Sequence, residues 1–236
     1  MAGPGGSEAP WELFTWPGVK GRGEYLRLVF EEAGVAYSDV GKQEGFAAVA
    51  DFCWKGKNTG FPVRAPPAIR KGDFVLSYTP VLMAYLGRKF GLMPQGEEEA
   101  AHVEQILGVV TDAVAEGRLA FHPKDFYASH KIQVDESKPY VKQYGEQRLP
   151  KYMAFFEAVL QQNTHKGGFL VGASVTVADL AVYQCMAAAE QHYGPYYAAQ
   201  ETPLAKAHQA AIAARPRIAA YLHSERCQPW DSDSMM

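Results

Sequence analysis

Two short segments of this sequence combine ligand-binding groups with backbone that can present them. The first is Thr79-Pro80, which precedes apolar residues at helical spacing. A helix is predicted to begin there, with proline in the first turn, where its missing N–H is not needed. The unpaired N–H groups and positive dipole end of a helix start favour an anion such as a carboxylate. Simple capping of the helix by Thr79 is the alternative, and both roles can hold at once.

The second segment is Pro66-Pro67, just before an apolar run. X-Pro bonds adopt the cis form at a cost of only about 0.5–1 kcal/mol, and such bonds usually mark a tight turn with a purpose. Because Pro66 has no N–H, only its carbonyl is available for a ligand, and a donor would have to come from Ala68 or elsewhere. A proline kink that binds nothing is the other interpretation.

The cysteines argue against disulfide and metal chemistry. Cys53, Cys185 and Cys227 are the three in the chain, and none belongs to a C-x-x-C pair. We therefore predict no disulfide framework and no metal site, and a reducing cytoplasm is the expected compartment. Cys53 is expected to be a buried, inert thiol.

The elements that must position these groups divide the chain into two halves. Residues 11–92 alternate between strand and helix, with Gly34 predicted to end the first helix and Lys71-Gly72-Asp73 to join two short strands. Beyond a linker at 93–98, strand signals almost vanish, and residues 99–236 are predicted to be helical. Thr176 and Asp179 resemble a capping box at one helix start. Residues 1–10 are expected to be a flexible tail.

Composition excludes several classes of protein. The chain has 236 residues, of which 47% are hydrophobic and 21% charged, with a net charge of −3. These are the proportions of a globular protein of about two domains, and Lys and Arg are too scattered for a nucleic-acid surface. No apolar run approaches the roughly 18 residues of a membrane helix, and the N-terminus lacks the pattern of a signal peptide.

Taken in order, four segments between residues 12 and 226 resemble the glutathione transferase superfamily. They are Phe14-Thr15-Trp16-Pro17-Gly18-Val19-Lys20-Gly21-Arg22-Gly23-Glu24, Ala65-Pro66-Pro67-Ala68-Ile69, Phe74-Val75-Leu76-Ser77-Tyr78-Thr79, and Phe169-Leu170-Val171-Gly172 with Thr176 and Asp179. The first is similar to the mu, pi and sigma classes and to a microbial and plant branch with the pattern Y-x-W-P-x-x-x-G-R-G-E. The resemblance implies an α/β thioredoxin-like N-terminal domain, an all-α C-terminal domain and glutathione as co-substrate.

The resemblance also implies which residues bind glutathione. Pro67 would be the cis-proline, beside which Pro66 pairs with the cysteinyl part, and Thr79 would receive the γ-glutamyl carboxylate. The glycine end would meet Trp54 and either Lys57 or Asn58, for which a plain surface loop is the alternative. Tyr78 stands where the family usually has glutamine. The full set is Trp54, Lys57, Asn58, Pro66, Pro67, Tyr78, Thr79 and Asp112. Asp112 would reach glutathione bound to a partner subunit, and the alternative is an exposed acidic residue on a helix.

The catalytic residue is the point at which this sequence departs from its relatives. In the similar classes a tyrosine at the end of strand one donates a hydrogen bond to the thiol, and here Thr15 takes its place, between Phe14 and Trp16. Three interpretations stay open. Thr15 activates the thiol, as serine does in other classes; the thiol is only weakly activated and the protein binds ligands; or a tyrosine such as Tyr25 or Tyr78 reaches in.

The second substrate implied by the resemblance is a small apolar electrophile held between the two domains. Candidate walls are Trp16, Phe121, His122, Phe126, Tyr127 and Trp230, although core packing explains most of them equally well, and His122 is expected to be structural. The predicted function is therefore a glutathione transferase acting as a homodimer, without nucleic acid or membrane as a partner. The alternatives are a non-catalytic binding protein of the same fold, or a glutathione-dependent isomerase or peroxidase.

Overall fold

The structure is a computed structural model that describes residues 9–165 and 167–230. Most of the flexible tail predicted for residues 1–10 therefore lies outside the described residues.

The first domain is a four-stranded mixed sheet with helices. Its elements are β1 Trp11–Phe14, α1 Gly23–Ala33, β2 Tyr37–Asp39, α2 Val40–Glu44, α3 Phe46–Trp54, β3 Ala68–Lys71, β4 Phe74–Ser77 and α4 Thr79–Phe90. The strand order is β2-β1-β3-β4, with β1 parallel to β2 and antiparallel to β3, and β3 antiparallel to β4. A βαβ unit followed by a ββα unit is the predicted thioredoxin-like arrangement, which is confirmed.

Strand register brings three distant segments to one edge of this sheet. Phe14 of β1 lies opposite Ala68 of β3, and Ala68 lies opposite Ser77 of β4. In antiparallel pairs, the residue after one partner lies beside the residue before the other. Thr15 follows β1, Pro67 precedes β3 and Tyr78 follows β4. These three residues therefore lie side by side at the same edge of the sheet, where α4 also begins.

Local sequence signals set several boundaries as predicted, and tertiary packing moved others. Gly34 ends α1 with φ 67°, a left-handed conformation that glycine adopts at little cost. The apolar run at residues 11–16 predicts a strand, but β1 stops at Phe14, so Thr15 and Trp16 lie in the connection to α1. Helix α5 begins at Glu97, inside the predicted linker, because three glutamates in its first turn complement the positive helix end.

The second domain is built from helices. They are α5 Glu97–Phe121, α6 Val134–Gln143, α7 Leu149–Gln162, α8 Val177–His192, α9 Gly194–Ala198, α10 Pro203–Ala213 and α11 Pro216–Leu222, with a 3-10 turn at His130–Ile132 and a π-helical turn at Tyr144–Arg148. Among the described helices, none is long and apolar enough to cross a membrane. The predicted capping box is confirmed, because Asp179 Oδ2 accepts a hydrogen bond from the Thr176 backbone N–H at 2.7 Å.

The two domains share one apolar core. Because side chains alternate along a strand, Leu13 of β1 packs into the large cluster that continues through α4 and α5 into the helical domain. Phe14 points to the opposite face, into a smaller cluster that includes Phe52, and the two rings stack at 3.7 Å. The start of α1 and the connection after β1 are thus held between the two halves of the molecule.

Candidate functional site

Thr15 is the first residue after β1, and its side chain is almost fully buried. It is 3% exposed. A Cβ placed on Gly23 would lie 2.1 Å from Thr15 Oγ1, and one on Gly41 would lie 1.8 Å from the Thr15 carbonyl oxygen. Only glycine fits at either position, so α1 and α2 pack directly on Thr15. Its hydroxyl consequently faces the first turn of α1, whose dipole favours a negative charge.

A buried ionic network holds the connection between β1 and α1. The Glu24 carboxylate, which is fully buried, accepts hydrogen bonds from the Lys20 ammonium at 2.9 Å and the Arg27 guanidinium at 3.1 Å. Arg27 also donates to Asp39 at 2.7 Å and to the Lys20 carbonyl at 3.0 Å, and Tyr221 of α11 donates to Glu24 at 2.9 Å. Sequence reasoning missed this network, whose signal is the Glu24–Arg27 pair, three residues apart, among the apolar residues of the first half of α1.

The charges of this network stabilise one another against burial. Burial acts to lower the pKa of Arg27, but the Asp39 and Glu24 carboxylates outweigh it and raise that pKa above its usual value. The pKa of Lys20 is raised in the same way, because Glu24 and a hydrogen bond to Cys227 outweigh burial. Since every charge has a partner, the loop is held rigidly beneath the sheet edge, and removal of one partner would leave an uncompensated charge.

The C-terminal segment folds back onto the same loop. Lys20 N–H donates to the Pro229 carbonyl at 2.9 Å, and Gly18 N–H donates to the Gln228 side chain at 3.1 Å. The Lys20 ammonium lies 5.2 Å from the ring centre of Trp230, which in turn meets His192 edge-on at 5.9 Å. The structure thus brings Trp230, one of the predicted pocket residues, to the loop that follows β1.

The residues predicted to bind the γ-glutamyl end lie at the start of α4. Tyr78 has a positive φ of 82°, which is an unfavourable conformation for a residue with a side chain. In the described part of the chain, it is the only non-glycine residue with a positive φ. No side chain caps α4 within that part, so the first-turn N–H groups keep their capacity to bind an anion. Thr79 shares a small cavity of about 20 Å³ with Arg22 and Tyr25.

The residues predicted to bind the glycine end already have partners in the chain itself. Trp54 Nε1 donates to the Arg64 carbonyl at 3.0 Å, and the Lys57 ammonium lies 2.7 Å from the Asp51 carboxylate. The Asn58 side chain donates to the Phe61 carbonyl at 2.9 Å and accepts from the Gly60 N–H at 2.8 Å. The hydrogen bond from Lys57 lowers the pKa of Asp51.

An aromatic cluster connects this end with the Thr15 region. Trp16 stacks on Phe46 with ring centres 4.8 Å apart and lies 5.4 Å from the Trp54 ring centre. Trp54 and Phe46 are more than half exposed, at 51% and 60%. The cluster forms an apolar shelf, defined as Trp16, Phe46 and Trp54, beside Thr15.

The other predicted pocket residues are not gathered into one wall. Phe121 and His122 are buried at the end of α5, where His122 Nδ1 lies 3.0 Å from the Ala128 carbonyl, an arrangement that fits the expected structural role. Phe126 and Tyr127 are exposed by 57% and 92%. Pro67 follows a cis peptide bond, as predicted. Asp112 is exposed on α5.

Nothing in the described residues provides a metal centre, since they contain no cluster of three or more His, Cys, Asp or Glu side chains. The thiols are free, and burial raises the pKa of Cys53 to about 11, in keeping with the expected inert thiol. The groups that the structure does bring together at this site are the Thr15 hydroxyl, the N-termini of α1 and α4, and the ionic network around Glu24.

Comparison with known proteins agrees with this architecture. Residues 124–225 match the family model described as the glutathione S-transferase C-terminal domain. Glutathione S-transferase P 1 of Xenopus laevis is 28% identical over 224 residues, covering 92% of this chain and 93% of the relative. The glutathione S-transferase of Plasmodium yoelii yoelii is 27% identical over 207 residues, covering 88% and 90%.

Two solved structures show the same fold over nearly the whole chain. The glutathione S-transferase from Ascaris lumbricoides covers 93% of this chain and 98% of its own at 24% identity, with a TM-score of 0.68. Monomeric Na-GST-3, a glutathione S-transferase from the hookworm Necator americanus, covers 94% and 100% at 20% identity, with a TM-score of 0.70. The chain is therefore similar to glutathione S-transferases over nearly its whole length, and it shares their fold.

Proposed function

We propose that this protein is a glutathione transferase, which binds glutathione at the sheet edge and stabilises its thiolate for attack on an apolar electrophile. The observation that carries the proposal is the strand register, which puts Thr15, Pro67 and the start of α4 side by side. Glutathione is an extended tripeptide with a thiol in its middle and carboxylates at both ends. A site for it needs a group for the thiol flanked by groups that bind anions. We assign the first turn of α4 to one carboxylate, and the loop with Trp54 and Lys57 to the other.

The chemical step needs the thiolate. A cysteine thiol titrates near pH 8.5, so only a few per cent is ionised at pH 7, and each unit of lowered pKa corresponds to about 1.4 kcal/mol of preferential stabilisation. We assign this stabilisation to the Thr15 hydroxyl and the α1 N-terminus. The thiol proton leaves to solvent, the sulfur forms a bond to the electrophile, and any leaving group departs with the electron pair of the bond that breaks.

The test pairs calorimetric titration of glutathione with the ultraviolet absorbance of its bound thiolate against pH. The wild type should bind glutathione and lower the pKa of its thiol. Thr15→Val, which keeps the side-chain shape against Gly23, should lose that shift and at least about tenfold in kcat/KM. Thr15→Ser, which keeps the hydroxyl, is the matched control and should retain both. Unchanged turnover in Thr15→Val contradicts this mechanism.

One observation favours a second candidate, a non-catalytic ligand carrier. Thr15 is 3% exposed and its hydroxyl lies against Gly23, which limits its approach to a bound thiol. In that case the wild type binds glutathione without any change in the pKa of the thiol. A glutathione-dependent isomerase or peroxidase would show the pKa shift, because it uses the same thiolate, but would turn over a different second substrate.

We also propose that the protein acts as a homodimer. Phe74 of β4 and Val81 of α4 are exposed by 40% and 46% and line an apolar groove with Leu76 and Tyr85. A second copy would cover this groove, and Asp112 would then reach glutathione bound to the partner subunit. Na-GST-3, with the same fold, is described as monomeric, so the fold by itself does not require pairing.

Sedimentation equilibrium tests the dimer. The expected mass is twice the 26.0 kDa of the chain, and Val81→Glu should reduce it to the mass of one chain. Phe61→Glu, at a residue that is 74% exposed in another loop, is the control and should remain paired. A wild-type mass near 26.0 kDa at micromolar concentration contradicts pairing. The three free cysteines support the further proposal of a reducing cytoplasmic location.

A further inference from the structure

A lysine ammonium and a thiol meet where the C-terminal segment lies against the loop that follows β1. Lys20 Nζ donates to Cys227 Sγ at 2.9 Å, although the two residues are 207 positions apart in the chain. A Glu24 carboxylate oxygen lies farther from the same sulfur, at 3.9 Å. The Lys20 nitrogen is therefore placed to react with an electrophilic form of the sulfur.

Cys227 differs from the other two cysteines in its exposure. Cys53 and Cys185 are buried, and burial raises the pKa of their thiols to about 11 and about 12. Cys227 is partly exposed, so a small oxidant in solution reaches its sulfur. Because thiol oxidation follows thiolate character and exposure, Cys227 is the cysteine of this chain at which oxidation is expected.

The C-terminal segment is held in place on both sides of Cys227. Before it, the Arg226 guanidinium lies 2.8 Å from the Glu31 carboxylate. After it, the Pro229 carbonyl accepts a hydrogen bond from the Lys20 N–H at 2.9 Å. The contact between sulfur and nitrogen is thus fixed by the backbone around it, and such positioning favours a reaction between the two groups.

Lys20 carries its proton in the resting protein, but the network around it does not depend on that charge alone. Burial lowers the pKa of Lys20, and Glu24 and the hydrogen bond to Cys227 outweigh burial and raise it. Glu24 also has the Arg27 guanidinium at 3.1 Å and the Tyr221 hydroxyl at 2.9 Å. Loss of the Lys20 charge therefore leaves the buried Glu24 carboxylate with two partners.

We propose that hydrogen peroxide converts Lys20 and Cys227 into a reversible covalent link, an S–N bond that holds the C-terminal segment to the loop after β1. The Cys227 sulfur, as thiolate, attacks one oxygen of the peroxide and the O–O bond breaks, which gives a sulfenic acid. The departing hydroxide takes a proton from the Lys20 ammonium and becomes water. The neutral Lys20 amine then attacks the sulfur and expels the hydroxyl with a proton as a second water, which leaves a sulfenamide.

The electrons of this reaction balance, and thiols reverse it. The Cys227 sulfur is oxidised by two electrons, and the peroxide is reduced to two molecules of water. Two thiol groups, such as those of dithiothreitol, return two electrons: they form a disulfide and release the free Cys227 thiol and Lys20 amine. In a reducing compartment the link would therefore last only while peroxide is present.

The test treats the full chain with hydrogen peroxide and maps its tryptic peptides by mass spectrometry. Trypsin does not cleave after a linked lysine, so the expected product joins a peptide that ends at Arg22 to one that begins at Cys227. Its mass should be that of both peptides less two hydrogen atoms, and dithiothreitol should separate them. Absence of this product, a joined product that retains an oxygen atom, or only sulfenic acid on Cys227 overturns the proposal.

Lys20→Arg is the matched variant, because a guanidinium keeps the positive charge but does not lose its proton and cannot attack the sulfur. It should form sulfenic acid on Cys227, trapped by dimedone, and no joined peptide. Lys42→Arg, at another lysine that contacts the C-terminal segment, is the control and should form the link as the wild type does. A link from Cys227 to any other lysine contradicts the assignment to Lys20. The wild-type peptide map decides the proposal even where Lys20→Arg does not fold.

Thermal unfolding measures whether the link holds the segment in place. A bond between residues 207 positions apart restricts the unfolded chain as a disulfide does. Dithiothreitol should therefore lower the Tm of the oxidised wild type by about 5 °C or more and leave that of oxidised Lys20→Arg unaltered. A linked protein whose Tm does not respond to dithiothreitol overturns this role of the link.

Discussion

The two ends of the proposed glutathione site differ in how far their polar groups are already committed. At the start of α4, no side chain caps the helix within the described residues. At the other end, Lys57 pairs with Asp51, and Asn58 both donates to and accepts from its own turn. One end keeps its donors for a ligand, whereas the other uses them to hold a loop in place.

This difference determines where binding free energy can arise. A donor without an internal partner gains a whole hydrogen bond when a carboxylate arrives, and a bond to a charged group contributes about 1.5–3 kcal/mol. A donor that must leave an internal partner only exchanges one bond for another. We therefore expect recognition to be concentrated at the α4 end, with the loop at residues 54–61 contributing mainly the apolar surface of Trp54.

The largest effect is expected at Thr15, which lies between the two ends of the proposed site. A Cβ on Gly41 would lie 1.8 Å from the Thr15 carbonyl oxygen, so Gly41→Ala must displace backbone and should lower the free energy of unfolding by about 3 kcal/mol or more. Gly108→Ala on α5 is the matched control, because its Cβ would have no neighbour within 4 Å, and it should add about 0.5–1 kcal/mol. Urea unfolding measures both. Equal midpoints would show that Thr15 and α2 are not closely packed.

The second effect tests the α4 end directly. Thr79→Val removes the hydroxyl and keeps the shape of the side chain, so the Kd for glutathione should rise about tenfold to a hundredfold. Thr59→Val, at an exposed position in the loop at the other end, is the control and should bind as the wild type does. If both variants bind alike in calorimetry, the two ends do not differ as proposed.

The third effect is the pH dependence of the free energy of unfolding. It involves His192, which contacts Trp230 in the C-terminal segment. Burial, with the nearby His130, lowers the pKa of His192 to about 4, so the folded protein keeps this ring neutral where the unfolded chain protonates it. The stability that this provides is complete above about pH 6.5 and decreases as the pH falls toward 4, by about 1–2 kcal/mol after allowance for the partly exposed ring.

Urea unfolding at pH 6.5 and at pH 4.5 measures this dependence. In His192→Phe, which keeps the aromatic contact with Trp230, the difference in unfolding free energy between the two pH values should become smaller than in the wild type. His102→Phe, at an exposed position on α5, should keep the wild-type difference. A His192→Phe variant with unaltered pH dependence would exclude His192 as its source.

The smallest effect is expected at the glycine end. Lys57 is highly exposed and already pairs with Asp51 at 2.7 Å, and solvent and salt screen exposed ion pairs, so that they contribute little. Lys57→Met should therefore raise the Kd for glutathione by no more than about fivefold. Lys55→Met, which removes the neighbouring partner of Asp51, is the control and should leave the Kd unaltered. A rise of tenfold or more for Lys57→Met would mean that this end also binds a carboxylate strongly.

The sequence alone determined the features that depend on backbone conformation over a few residues. Gly34 ends α1 because it adopts φ 67°, and Thr79-Pro80 begins α4 because the first turn is where proline costs a helix least. The capping box at Thr176 was predicted for the same reason, whereas the cis bond before Pro67 was implied by the resemblance to glutathione transferases. Such signals act between near neighbours, so they can be read without knowing what packs against them.

Only the tertiary structure decided which of these residues meet and which polar groups remain uncommitted. The spacing of residues in the sequence does not show that Gly41 packs against Thr15. It also does not show that Trp230 contacts Lys20, from which it is far away in the sequence. Burial turns Glu24 and Arg27 from an ordinary helical pair into the support of a loop. The same burial leaves the Tyr25 hydroxyl without a partner among residues 9–165 and 167–230. These outcomes depend on how helices from both domains pack around α1, because desolvation and partner choice are set by long-range contacts rather than by local conformation.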